Sequence, residues 1–338
     1  MSTQTRENVV GALIFYAYIA GALALTGLIC RDLMIMYNRF SGQKRKDVQV
    51  LRKDCGRAKR GTQSRVSILA ALSALSFAVL SYHMLNFLIQ SYQSWAPSES
   101  LSDVSFPKIW KWSVHSRLFR DFAEAIINDP HRFWWTNLAL TYSLGWNVYM
   151  SIEGFRKSIP HLWAYFLLDQ ILPVSFTQNM FLLAVHLQDD KKYAEIRMLD
   201  PPSAAMQVLL VCAYSAVLAT APISIGSGWF IWVLLATRAL LSAPFLVLRP
   251  RIARPGASFQ HQDVFSSANY SLRHEARWAL ALISGYMAVQ LAQGFLALPS
   301  SITAVLSVLH DNPAVSTLGY DLLIGTFSLS VSRLSAYQ

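Results

Sequence analysis

Long apolar segments recur along the chain, and they constrain its fold more than any other feature. Of the 338 residues, 54% are hydrophobic and 14% are charged, and the mean hydropathy is positive at +0.33. A helix needs about 20 apolar residues to cross the hydrocarbon core of a bilayer. We therefore predict an all-α, polytopic integral membrane bundle of about eight transmembrane helices that forms a single membrane domain. The predicted spans are 9–29, 66–89, 133–152, 161–187, 205–225, 229–248, 278–298 and 314–334.

Positive charge is concentrated between the first two predicted spans. The formal net charge is +10, and residues 31–65 hold a dense group of Arg and Lys. Basic residues in short loops stay on the cytosolic side of a membrane, so we predict a basic cytosolic loop over 31–65 and non-cytosolic termini. The sequon at Asn269 is then expected on the non-cytosolic side. The close flanking by apolar spans argues against a nucleic-acid-binding patch.

Residues 106–127 mix aromatic and cationic side chains in a pattern different from that of the spans. Trp110, Trp112 and Phe119 alternate with Lys and Arg along this segment. An amphipathic helix of this composition places its rings at the acyl boundary and its cations among the headgroups. The pattern therefore predicts an interfacial amphipathic helix over 106–127.

Several kinds of catalytic chemistry lack their sequence motifs. The three cysteines are scattered and the eight histidines are isolated, so neither a zinc site nor a di-iron histidine box is indicated. A P-loop, a GxSxG elbow and a dinucleotide-binding fingerprint are also absent. Asp189 and Asp190 begin an Asp-rich motif, but Lys191, Lys192 and Tyr193 follow. We interpret this stretch as a solvated loop, because a magnesium site needs convergent carboxylates. We expect no metal and no cofactor.

Acidic residues lie near or within the apolar segments, where an ionisable group is costly and often functional. A carboxylic acid enclosed by apolar side chains favours its neutral form, and it can then donate a proton in an apolar cavity. Asp129 precedes Pro130 and is also placed to cap a helix, whereas Asp169 lies deeper among aromatic residues. Asp129 or Asp169 is the expected proton donor, and Glu153 and Asp321 are the remaining candidate catalytic residues.

Aromatic and amide residues accompany these acids. An aromatic ring can stabilise a nearby cation, and an amide can orient the acid or receive a proton through water. The candidate substrate-binding residues are Asn137, Trp134, Trp135, Tyr142, Trp146, Trp163, Phe176, Gln178 and Asn179. The same residue types are also typical of amides that join helices and of an aromatic belt at the membrane surface.

Two stretches of the sequence resemble a known family. The first contains Asn128-Asp129-Pro130, Phe133-Trp134-Trp135-Thr136 and Tyr142-Ser143, and the second is Ser175-Phe176-Thr177-Gln178-Asn179-Met180-Phe181. They resemble the fungal membrane-bound terpene cyclases of meroterpenoid biosynthesis, of the ascofuranone/ascochlorin and macrophorin cyclase type. The resemblance covers residues 115–190. It implies that a farnesyl chain on an aromatic or epoxyquinone head is cyclised after protonation of its terminal epoxide or olefin. No diphosphate leaves in such a reaction, so the resemblance implies no magnesium.

The resemblance implies a terpene cyclase of the isomerase or intramolecular lyase type, active in fungal secondary metabolism. We expect an integral membrane protein of the endoplasmic reticulum. Its expected partners are a prenylated small-molecule substrate, the lipid bilayer and other enzymes of its pathway, but no nucleic acid. The alternatives are a non-catalytic membrane transporter or lipid-binding membrane protein, whose polar groups would line a permeation path, and a scaffold subunit for other membrane enzymes.

Overall fold

Helices account for nearly all of the residues that the structure describes. It is a computed structural model, and it describes residues 8–50, 56–97, 104–188, 204–247 and 302–334, together with isolated positions between these ranges. The helices are α1 (Val9–Val50), α2 (Gly56–Trp95), α3 (Phe106–His115), α4 (Leu118–Ile127), α5 (Pro130–Arg156), α6 (Leu162–Ile171), α7 (Val174–Leu187), α8 (Ala204–Ser224), α9 (Phe230–Val247), α10 (Ile302–Asp311) and α11 (Pro313–Leu334). Two short strands, β1 (Met198–Leu199) and β2 (Pro250–Arg251), pair in an antiparallel manner.

Three of these helices are long and apolar enough to cross a membrane. The candidate spans are Val9–Gly42, Arg65–Trp95 and Pro313–Ser332. Shorter apolar helical segments occur at Val174–Leu187, Val208–Ser224 and Phe230–Leu246. The all-α class of the described residues agrees with the sequence, but the arrangement of eight spans is not confirmed. The predicted span 278–298 lies largely outside the described residues, as does the sequon at Asn269.

The segment 31–65 is not the simple loop that the sequence suggested. α1 continues to Val50 and α2 begins at Gly56, so most of the segment is helical. Arg, Lys, Gln and Ala are good helix formers. A basic composition therefore marks neither the end of α1 nor the start of α2, and both helices extend beyond their apolar parts.

The segment 106–127 also differs from the single amphipathic helix predicted for it. α3 ends at His115, the backbone of Ser116 is extended, and α4 begins at Leu118. Each of the two helices is short and buries one side, which includes Trp112 in α3 and Ile126 in α4.

Pro173 divides the predicted span 161–187 into two helices. α6 ends at Ile171, Leu172 is extended, and α7 begins at Val174. Proline has no N–H group and disfavours helical geometry in the residue before it. Asp321 of α11 accepts hydrogen bonds from the first backbone N–H groups of α7, at 2.9 Å from Val174 and 2.7 Å from Ser175. A side chain that is distant in sequence thus caps the new helix.

α7 lies at the centre of the bundle. Most of its residues are buried, and α1, α2, α5, α6 and α11 pack around it. α5 is buried over more than half of its 27 residues and packs against α9 and α11 as well. α10, which was not predicted from the sequence, packs against α5 and α11. The interior polar side chains of α5, α6, α7 and α11 therefore lie in one packed region.

Candidate functional site

Asp129 is the N-cap of α5. Its Oδ1 atom accepts hydrogen bonds from the backbone N–H groups of His131 at 2.8 Å and Arg132 at 3.3 Å. Almost half of its side chain is exposed, at 47%. Burial alone would raise the pKa of Asp129, but the hydrogen bonds from Arg132 and His131 hold this pKa below its ordinary value. Asp129 is therefore ionised at neutral pH and is suited to capping a helix.

Two of the other candidate acids also have strong partners. Glu153 forms a double hydrogen-bonded ion pair with Arg156, three residues further along the same helix. Asp321 is buried, and both of its oxygens accept the backbone hydrogen bonds that cap α7. Both side chains have clear structural roles.

Asp169 is buried and has one oxygen without a partner. Its exposed fraction is 3%. Its Oδ2 atom accepts a hydrogen bond of 2.8 Å from the side-chain amide of Asn147 in α5. Its Oδ1 atom has no hydrogen-bond partner among the described residues. Of the four candidate acids, Asp169 thus combines burial, a fixed orientation and an oxygen that no donor in the described part of the chain engages.

Other buried polar atoms close to this acid in sequence or by contact also lack partners within the described ranges. They are Oδ1 of Asn147, Nε1 of Trp146 and both side-chain polar atoms of Gln170. Most buried polar atoms in proteins are hydrogen-bonded, so a group of exceptions calls for an explanation. Waters or polar ligand groups at these atoms would supply the missing partners.

Aromatic rings pack one helical turn from Asp169. Tyr165 of α6 lies edge-on to Phe181 of α7, with the ring centroids 5.6 Å apart. Trp146 lies edge-on to the same Phe181 ring at 5.6 Å and beside Tyr149 at 5.3 Å. These four residues, Tyr165, Phe181, Trp146 and Tyr149, form an aromatic cluster between α5, α6 and α7.

The three amides expected near the acid belong to other contacts. Gln178 accepts a hydrogen bond from Tyr142 at 2.6 Å and donates one to the carbonyl of Gly325 at 2.7 Å. Asn179 donates to Ser76 of α2 at 3.3 Å, and Asn137 accepts from Thr141 at 3.5 Å. None of the three is hydrogen-bonded to any of the four acids in these contacts. Gln178 and Asn179 join neighbouring helices, whereas the Asn137 contact lies within α5.

The remaining aromatic candidates are dispersed. Trp163 is 44% exposed and lines an open depression of about 240 Å³ with Phe155 and Phe245. Trp134 and Trp135 contact each other edge-on at 5.1 Å. Phe176 is buried against Phe77 of α2 at 5.3 Å. Of the aromatic candidates, the cluster beside Asp169 includes only Trp146.

Sequence reasoning missed the partner of Asp169 and a hydrogen-bonded contact between a histidine and a buried aspartate. Asn147 lies between Ser143 and Ser151 at four-residue spacing, and all three are buried on α5. That polar stripe in an apolar helix was a usable signal. The second feature is the contact of His161 with Asp32 at 2.6 Å, and no sequence pattern joins residues so far apart.

Metal-binding potential is low in the described part of the chain. No group of three or more His, Cys, Asp or Glu side chains could hold a metal ion there.

The comparison of the chain with protein-family models, curated proteins and solved structures finds no match. The fold and the apolar helices define an all-α protein that is compatible with membrane insertion, with a polar site inside its bundle.

Proposed function

We propose that this protein is a membrane-integral terpene cyclase and that Asp169 is its proton donor. The substrate class is a farnesyl chain attached to an aromatic or epoxyquinone head. The observation that carries the proposal is the buried Asp169 carboxyl, of which one oxygen is held by Asn147 and the other has no partner within the described ranges. An acid in an apolar interior favours its neutral form and can protonate a substrate there.

The hydrogen bonds and the ion pair of the other three acids support this assignment. Asp129 accepts two backbone hydrogen bonds, Asp321 caps α7, and Glu153 is paired with Arg156. A carboxylate that is stabilised as an acceptor is a poor general acid. We therefore assign the role of proton donor to Asp169.

The proposed reaction needs one proton and no metal. Asp169 gives its proton to the terminal epoxide oxygen or to a terminal olefin carbon, and the electrons of the next double bond close the ring. The aromatic cluster of Trp146, Tyr149, Tyr165 and Phe181 stabilises the resulting cation through the negative faces of its rings. The final cation loses a proton to water, so the product is an isomer of the substrate.

The test is expression in a host that supplies farnesylated phenols and their terminal epoxides. Wild-type protein should give a product of unchanged mass. Asp169→Asn keeps the size of the side chain and removes its acidic proton, so the rate should fall by about 10²–10⁴. Asp129→Asn is the matched control, because Asn is an equally good N-cap, and it should retain activity. An Asp169→Asn variant that accumulates normally and cyclises at the wild-type rate would refute the assignment.

The second candidate function is membrane transport. It is favoured by the break between α6 and α7 at Pro173, which has Asp169 on one side and the Asp321 cap on the other. Discontinuous helices with nearby ionisable groups are frequent at transport sites. Purified protein in detergent micelles separates the two functions, since micelles have no compartments and only an enzyme can convert the substrate there. Uptake into proteoliposomes without conversion would favour transport.

A further inference from the structure

An open depression lies at the turn between α5 and α6. Its volume is about 240 Å³, and the residues that line it include Phe155, Ser158, His161, Trp163 and Phe245. Pockets for drug-sized ligands measure about 300–1,000 Å³. The depression therefore has room for a single-ring group rather than for a larger ligand.

Aromatic residues form much of the wall of this depression. Phe155 and Phe245 are stacked, with their ring centroids 5.8 Å apart and an angle of 6° between their planes. Trp163 is 44% exposed and lies edge-on to His161, with the ring centroids 6.3 Å apart. Aromatic rings pack favourably in offset and edge-on arrangements. An aromatic ligand would therefore find suitable packing partners in this wall.

The imidazole of His161 is the fixed polar group of the depression. Its Nδ1 atom lies 2.6 Å from Oδ2 of Asp32 in α1. The side chain of Asp32 is only 7% exposed, whereas that of His161 is 41% exposed. A carboxylate accepts hydrogen bonds, so in a neutral imidazole this contact assigns the proton to Nδ1 and leaves Nε2 as an acceptor. Nε2 makes no hydrogen bond to a residue that the structure describes.

This arrangement discriminates between classes of polar ligand. An acceptor nitrogen pairs with a hydroxyl that donates its proton. A carboxylate or phosphate group has no proton to donate at this nitrogen, and it would bring a second negative charge close to Asp32. The polar group of the ligand is therefore a neutral donor.

The backbone of the turn is strained at both polar residues of the depression. Ser158 and His161 have positive φ angles of 49° and 48°, which are uncommon for residues other than glycine. Strained positions are frequent at ligand-binding sites, where the surrounding structure maintains them. The contact with Asp32 in α1 helps to maintain His161 in this conformation.

We propose that this depression between α5 and α6 binds a neutral aromatic ring with a hydroxyl group, and that Nε2 of His161 accepts the hydrogen bond of that hydroxyl. Phe155, Trp163 and Phe245 pack against the ring. Asp32 is a positioning residue, because it orients the imidazole through Nδ1. The inference goes beyond the proposed cyclisation and does not depend on it, although a phenolic head of the proposed substrate class has the same chemistry.

The first test is a fluorine NMR titration of the purified protein in detergent with para-fluorophenol and para-fluoroanisole. The two probes share the fluorinated ring, but only the phenol has a hydroxyl proton to donate. Wild-type protein should bind the phenol about two- to tenfold more tightly, as expected for one hydrogen bond. Empty micelles give the background partitioning of each probe. Equal affinities for the two probes would overturn the proposal and would indicate an apolar cleft.

The second test assigns the preference for the phenol to its residues. His161→Phe keeps a ring but removes Nε2, so the two probes should bind equally. His115→Phe is the matched control, because His115 is exposed and its ring bonds to the carbonyl of Lys111 in its own helix, α3. This control should keep the wild-type preference. An unchanged preference in His161→Phe would refute the site.

Trp163→Ala provides a variant of an exposed residue that tests the wall separately. It should weaken the binding of both probes and leave the preference for the phenol unchanged. Unaltered binding of both probes would contradict the proposed wall. A His161-dependent preference in a protein that converts no farnesylated phenol would support the site and refute the cyclase. Cyclisation without such a preference would refute the site alone.

Discussion

The hydroxyl of Tyr142 in α5 donates a 2.6 Å hydrogen bond to the side-chain oxygen of Gln178 in α7. The nitrogen of the same amide donates to the carbonyl of Gly325 in α11 at 2.7 Å. One side chain therefore joins three helices inside the bundle. Such a contact is specific, because an amide in an apolar interior is satisfied only when its partners are aligned.

The close approach at Gly325 predicts a destabilising substitution. A Cβ atom at this position would lie 2.9 Å from the Tyr142 ring and hydroxyl and 3.2 Å from Gln178 Oε1. Gly325→Ala should therefore lower the free energy of unfolding by about 1–3 kcal/mol. Thermal unfolding of purified protein in detergent measures the effect.

Gly27 supplies the control for this substitution. A Cβ atom at Gly27 of α1 would meet nothing within 4 Å, and Ala is favoured over Gly in a helix. Gly27→Ala should preserve or raise stability. If the Gly325→Ala and Gly27→Ala variants unfold at the same temperature, the contact of α5, α7 and α11 has room for an added methyl group, which would contradict the prediction.

The cap that Asp321 of α11 provides to α7 predicts a second loss of stability. Asp321→Ala would leave the buried N–H groups of Val174 and Ser175 without their acceptor. An unsatisfied buried group costs about 1–3 kcal/mol, so this variant should unfold at lower temperature and accumulate less in membranes. Asp321→Asn retains one acceptor and should lie between Asp321→Ala and the wild type.

A conservative change on the exposed side of α11 tests the specificity of that loss. Ser330 is exposed and bonds only within its own helix in the described contacts. Ser330→Ala should change stability by about 0.5 kcal/mol or less. If Asp321→Ala lowers stability no more than Ser330→Ala does, the cap does not hold α7 in place.

The cap at Asp129 predicts a pH dependence. Because the folded-state pKa of Asp129 lies below its ordinary value of 3.8, its contribution to stability is present above pH 3.8. This contribution is lost as pH falls through the folded-state pKa. Thermal unfolding in detergent should therefore show that acid destabilises the wild type more than Asp129→Asn below that pH. At neutral pH, Asp129→Ala should cost about 1 kcal/mol, whereas Asp129→Asn should cost little. Identical acid profiles for wild type and Asp129→Asn would contradict this role.

The proposed mechanism predicts metal-independent catalysis, because it ionises no diphosphate. Cyclisation by purified protein should be unchanged in the presence of EDTA. A class I terpene synthase that binds magnesium through an Asp-rich motif provides the positive control for chelation. Loss of activity in EDTA that magnesium restores would argue for diphosphate chemistry instead.

Local sequence features predicted several elements with useful accuracy. Helices α8, α9 and α11 occupy the segments expected to be apolar helices at 205–225, 229–248 and 314–334. Long apolar runs favour helices, and the Gly226 turn with its positive φ of 80° separates α8 from α9. The continuations of α1 and α2 were missed, because a change in polarity does not by itself end a helix.

The ranking of the acids required contacts between distant residues. All four carboxylates are visible in the sequence, but their partners are not. Asp321 caps a helix that begins almost 150 positions earlier, at Val174, and Asp169 is held by Asn147 of another helix. The amides Gln178 and Asn179 were expected near the acid, yet helix rotation directs them toward Tyr142 and Ser76.

The sequence by itself determined the apolar helical character of the chain, the position of Pro173 and the small set of buried acids. These properties follow from composition and from the chemistry of single residues. Tertiary structure decided that Pro173 ends one helix and begins another, because Asp321 of a distant helix supplies acceptors for the first backbone N–H groups of α7. It also decided that Oδ1 of Asp169 has no partner among the residues with described positions and that His161 contacts Asp32. Hydrogen-bond partners depend on the rotation and depth at which helices pack, and residue order along one helix does not specify these quantities.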